Sequence, residues 1–149
     1  MQASIRPADG VPQILGYSVA SGETFYKGAP VTLDGSGNLE EVDTDDVTGI
    51  LGIATMGATV AGTPDWGDEV PVEIADDPTI FQSQVHSSAA ILTSLANVVV
   101  GARYGIVKLS NYWYIDYDDT SNVVAEIMSK DEDNNIVFFK FIGTARVDG

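Results

Sequence analysis

The chain has no cysteine, one histidine (His86) and only 7 lysines and arginines among 149 residues. Without thiols there can be no thiolate catalysis, no disulfide staple and no zinc site built on cysteine. One histidine cannot make a multi-histidine metal centre, and a Ser-His-Asp triad would have to run through His86 alone. No run of about 18 apolar residues is present to cross a membrane as a helix. The chain does not open with a basic segment followed by an apolar one, so no export signal is expected. These absences predict a soluble, non-enzymatic protein with no catalytic residue, no metal and no cofactor.

What is present is acid. The 22 aspartates and glutamates give a formal net charge of -15, which a phosphate backbone would repel, so neither nucleic acid nor membrane is expected as a partner. The acids are segregated. Residues 1–77 carry 14 of them against 2 bases, and residues 116–149 carry 8 against 3. Residues 78–115 have no acid at all, only Arg103 and Lys108. Such a stretch is either mostly interior or partly a protein contact, because interface cores are depleted of charge. With 44% apolar and 19% charged residues, the mix is that of one folded domain, and a chain of this length buries roughly two thirds of its unfolded surface.

Residues 1–16 contain Pro7, Pro12 and two glycines, a composition that favours an extended path. They are expected to form an N-terminal arm ahead of a single β-rich domain at residues 17–149. If fully extended, ten residues of the arm would reach about 33 Å, far enough to touch a neighbouring subunit through Ile5, Arg6, Pro7, Val11, Ile14 and Leu15. From Tyr17 onward, short runs of β-formers alternate with turn residues. Strands are expected near residues 28–33, 39–42, 47–55, 70–75, 80–85, 103–109, 112–117, 122–128 and 136–142. Gly49 and Gly52 suggest close backbone approach or a bend. Ser87 and Ser88 ahead of apolar residues spaced by three and four predict one short helix at residues 87–96. The expected fold class is mostly β: an antiparallel β-sandwich or barrel-like (β-tulip-type) domain with at most one short helix.

Three acidic clusters, at residues 43–46, 116–119 and 131–135, lack calcium-loop spacing. Counting from Asp116, positions six and twelve are Ser121 and Ile127, where an EF-hand needs glycine and glutamate. They read as solvated turns. A glycosidase carboxylate pair depends on separation in space, which spacing along the chain does not define. Tyr112, Trp113, Tyr114 and Tyr117 form the densest aromatic run, and on a strand Trp113 faces away from Tyr112 and Tyr114. One side must be core. With Trp66, the run is also the candidate aromatic surface for a sugar or a partner protein.

The stretches GYSVASGETFYKGAPVTLDGSGNLEEV, VTGILGIA, DWGDEVPVEIADDPTIFQ, RYGIVKLSNYWYIDYDDTSNVVAEI and FFKFI, in that order over residues 16–143, resemble the small decoration, or cement, proteins of tailed-bacteriophage capsids. The resemblance implies a protein made in the host cytoplasm that assembles, often as a homotrimer, on the outer surface of the virion. There it would bind the major capsid protein and clamp neighbouring subunits. The alternative is a carbohydrate-binding or host-attachment module on a virion.

Overall fold

The computed structural model describes residues 5–9, 13–43, 49–76, 79–87 and 90–146. Its strands are β1 (Arg6–Asp9), β2 (Ile14–Tyr17), β3 (Pro30–Leu33), β4 (Leu39–Glu41), β5 (Gly52–Ala54), β6 (Val70–Ile74), β7 (Ile80–Ser83), β8 (Val85–His86), β9 (Arg103–Leu109), β10 (Tyr112–Asp116), β11 (Ala125–Asp131) and β12 (Ile136–Phe141). They form a seven-stranded sheet in the order β1-β7-β12-β11-β9-β10-β8 and a five-stranded sheet in the order β2-β6-β5-β3-β4. The sheets do not close into a barrel, and the architecture is that of a β-sandwich. Pairing is antiparallel except between β8 and β10.

Alternation places the core. Along β12, Val137, Phe139 and Phe141 are buried while Ile136, Phe138 and Lys140 are only partly covered, the period of two that a strand with one interior face requires. Phe139 and Phe141 meet Phe81 of β7 at ring separations of 6.1 and 5.5 Å, within the range of favourable aromatic pairs. Val31, Leu39, Val70 and Val72 of the smaller sheet belong to the same buried cluster as Ile106, Trp113, Ile115 and Ile127 of the larger one. The smaller sheet also depends on a missing side chain. A Cβ on Gly52 would lie 2.1 Å from the Glu73 carbonyl oxygen, so β5 can approach β6 only with glycine there.

Two expectations need correction. Residues 5–9 and 14–17 do not project as an arm: β1 pairs with β7 and β2 with β6, while Ile5 is buried in the core. The prolines that argued for an extended path are compatible with edge strands, and both of these strands are edges. The helix at residues 87–96 is also absent from the described residues. Ser87 N–H donates to the Ala90 carbonyl at 2.9 Å, and Leu92 N–H to the Val85 carbonyl at 2.8 Å, which reverses the chain tightly. The Ser87 hydroxyl donates to the Ala90 carbonyl rather than accepting a backbone N–H as an N-cap does. The described helical residues are a single 3-10 turn, Gly143–Ala145, and no described helix is long and apolar enough to cross a membrane.

One polar contact joins the sheets. Glu41 on β4 accepts a hydrogen bond from Trp113 Nε1 of β10 at 2.8 Å and one from Lys108 Nζ of β9 at 2.6 Å. Trp113 is 1% exposed, so its N–H has no access to water as a substitute acceptor. Glu41→Ala should therefore cost about 1–3 kcal/mol, the usual penalty for orphaning a buried donor. Glu41→Gln, which keeps an acceptor for the indole, should cost less. Urea unfolding of the three proteins would reveal the order.

Candidate binding surface

A sandwich has four sheet edges, and an open edge is a row of unpaired backbone groups that another chain can extend. Three of the four are obstructed. The strand β1 contains Pro7 and has a register irregularity between Pro7 and Asp9. The strand β4 carries Glu40 and Glu41, and its Leu39 already bonds residues 18 and 20: Leu39 N–H donates to the Ser18 carbonyl, and Ala20 N–H to the Leu39 carbonyl. The strand β8 has two residues. The remaining edge, β2, reads Ile-Leu-Gly-Tyr and has no charge.

The hydrogen-bond phase of β2 can be worked out. Ile74 N–H donates to the Gln13 carbonyl at 2.8 Å, and antiparallel bonding alternates along a strand. Gln13, Leu15 and Tyr17 therefore turn their backbone groups toward β6, while Ile14 and Gly16 turn theirs outward. Nothing among the described residues pairs with them. Side chains agree with the backbone: Ile14 is 53% and Leu15 41% exposed, on opposite faces of the same strand.

The other expected contact residues separate. Ile5 is core, Arg6 and Pro7 lie on β1, and Val11 falls outside the described residues. The aromatic surface also comes apart. Trp113 and Tyr114 are buried, Tyr114 with its ring 5.6 Å from that of His86. Tyr112 is half-buried and packs edge-on against Tyr26 at 6.0 Å. Trp66 alone of the four stands in solvent, at 78% exposure. The strand β10 is covered on both faces, which the period-two argument could not anticipate.

Among the described residues the acidic side chains do not form a metal-binding cluster. An open cleft of about 400 Å³ is lined by Glu23, Glu40, Glu41 and Asp43 together with Thr32, Leu33 and Val42, but Glu41 is spent on Trp113 and Lys108. Glu23 Oε1 accepts the Glu41 backbone N–H at 3.0 Å. Among the described residues no three His, Asp or Glu side chains are placed to hold a metal ion. The cluster at residues 131–135 is a turn held by its own bonds: Asn134 donates to Asp131 through both side chain and backbone, which pulls the Asp131 carboxyl below its ordinary range. Asp116 moves upward through burial, partly countered by the Asp118 backbone N–H.

No family of known proteins, no curated protein and no solved structure matches this chain.

Glu73, beside the open edge on β6 and opposite Ile14, has an unpartnered buried oxygen, Oε2. Burial raises its pKa, and the attraction of Lys27 offsets this only in part. A carboxyl raised in the folded state binds more protons folded than unfolded, so stability falls as pH rises from the unfolded to the folded value. Glu73→Gln should accordingly raise the melting temperature at pH 7, and the gain should vanish below about pH 4, where wild-type Glu73 is protonated in both states. Thermal melts across that pH range give the comparison.

Proposed function

We propose that this chain is a structural, non-enzymatic binding protein that decorates the outer surface of a phage head and stabilises it by bridging neighbouring major capsid subunits. The observation that supports this most is the β2 edge, the one edge of four that neither charge, proline, a broken register nor two-residue brevity blocks, with Ile14 and Leu15 in solvent on its two faces. An exposed edge of this kind is an aggregation hazard that proteins ordinarily block with charge, proline or a bulge. Its retention makes sense if a partner covers it. The net charge of -15 keeps a protein present in many copies soluble and off the genome, and it leaves the few uncharged surfaces to select the contacts.

Attachment in this reading is weak per contact and strong by repetition, since linked copies that engage several sites gain avidity without new contacts. Self-association as a trimer belongs to the same proposal, and light scattering on the free protein measures it. The glycan-binding alternative receives less support from the geometry, because Trp113 and Tyr114 have no open face to offer a sugar.

The test is to mix the purified protein with expanded, empty phage heads and to look for saturable, symmetric occupancy. The double variant Ile14→Lys, Leu15→Lys should bind at least about tenfold more weakly, a loss of about 1.4 kcal/mol. Lysine stems keep covering the apolar surface while the charges block strand addition, so the melting temperature should hardly change. Equal binding by the double variant would remove β2 from the mechanism, and absence of saturable binding by the wild-type protein would end the capsid reading.

A further inference from the structure

The most exposed large apolar side chain, Trp66 at 78%, stands on a loop built with unusual care. Asp65 closes the loop: its Oδ1 accepts from Thr59 N–H at 2.9 Å and from Thr59 Oγ1 at 2.7 Å. Its own N–H donates to the Gly57 carbonyl at 3.0 Å. Thr63 N–H donates to the Val60 carbonyl at 2.9 Å, and Gly62 N–H reaches the Glu23 carbonyl at 2.8 Å. Val60, next to Thr59 on the same loop, is 66% exposed. Gly67 then adopts a left-handed backbone, φ 66°, which turns the chain away immediately after the indole. A frayed loop would expose an indole by default. This one exposes it while holding its backbone in place, and an exposed indole displayed on a fixed scaffold marks a contact surface.

The charge around it selects the partner. The loop carries Asp65, Asp68 and Glu69 and no base. Among the described residues neither Asp68 nor Glu69 is in an ion pair, and Arg103 and Lys108 are taken by Glu126 and Glu41. An indole face is electron-rich and draws cations, guanidinium above all, and the two free carboxylates beside it have the same preference. Nucleic acid, an anionic membrane and a second copy of this chain would each be repelled. We propose that the Trp66 loop is a docking site for an arginine-bearing segment of a partner protein, the guanidinium stacking on the Trp66 indole while Asp68 and Glu69 neutralise it. The proposal requires no particular shell and no partner on β2, although Glu69 lies against Gly16 and so sets the loop beside that edge.

The probe is a short peptide of alternating glycine and arginine, titrated into the full chain by calorimetry, with a peptide of the same length bearing citrulline for arginine as the uncharged control. The arginine peptide should saturate. Trp66→Ala, which leaves net charge unchanged, should weaken it at least about threefold, with Trp66→Phe in between. Asp68→Asn with Glu69→Gln should weaken it further and flatten its dependence on salt. Because Trp66 and both carboxylates are exposed, unchanged melting temperatures would confirm that every variant is folded. Undiminished binding by Trp66→Ala would overturn the proposal by assigning the affinity to general acidity. So would equal binding of the citrulline peptide, or no saturation at all. Saturation by neutral oligosaccharides that is lost in Trp66→Ala, with none by the arginine peptide, would make the loop a sugar site instead.

Discussion

Burying Trp113 between two sheets requires an acceptor for its indole N–H, and that acceptor comes from the opposite sheet. Glu41 supplies it and at the same time takes Lys108 from the neighbouring strand. The arrangement is economical in its desolvation. A carboxylate that accepts both a neutral N–H and an ammonium keeps its charge paired, and its side chain is only 11% exposed, so removal of either donor leaves a costly remainder. The contact also fixes the relative placement of the sheets. Apolar packing is tolerant of small slides, whereas a hydrogen bond at 2.8 Å is not. The position of β4 over β9 and β10 is thus set by a polar contact at the border of a mostly apolar core.

With the sheets located, the remaining constraint is at their edges. A barrel abolishes edges, and this fold does not close. Proline with a broken register, acidic residues and brevity protect three of the edges. The fourth has none of these, although the same chain supplies 22 acids that could have been placed there. Charge is therefore not scarce in this protein but positioned, and its absence from β2 is informative in the way that an exposed apolar patch is. Glu69 marks the boundary: its Oε1 would lie 2.7 Å from a Cβ on Gly16, so the acidic end of the Trp66 loop rests against the uncharged edge.

Much of the fold was legible because strong local signals agreed with the pairing. Residues 103–109 emerge as β9 with the expected bounds. The two residues left between the runs, Ser110 and Asn111, take the positive φ values of a tight hairpin turn. The strand β11 is shifted instead, to Ala125–Asp131 from the expected 122–128. Ser129, Lys130 and Asp131 are poor strand formers, but each finds a partner on β12 after a register irregularity at Met128, so pairing overrides propensity. The helix expected at residues 87–96 failed for a related reason. Apolar residues spaced by three and four also suit a chain that doubles back, and among the described residues of that stretch only Leu95 is fully buried. Of the contact surface, the residue types were legible and their exposure was not. Ile5 and Leu15 look alike in sequence, yet one is core and the other edge, because strand order decides it and strand order is set by contacts far apart along the chain.

The two candidate surfaces differ in physical kind, and the difference assigns them different tasks. An open strand edge binds through backbone groups that every partner possesses, so it supplies adhesion with little discrimination. The Trp66 loop, in the proposed reading, would bind through charge sign and a flat aromatic face, which discriminate strongly and adhere weakly when exposed. Specificity is a difference between affinities for right and wrong partners, and neither surface alone provides both a useful affinity and a useful difference. Their contact through Glu69 and Gly16 lets them do so jointly. A partner segment approaching the edge does so beside two unpaired carboxylates, Asp68 and Glu69. Under the proposal, acidic segments would be repelled before the backbone bonds could form, and basic ones drawn in. In this reading the carboxylate beside Gly16 would disfavour pairing of two copies through β2 and leave self-association to other surfaces.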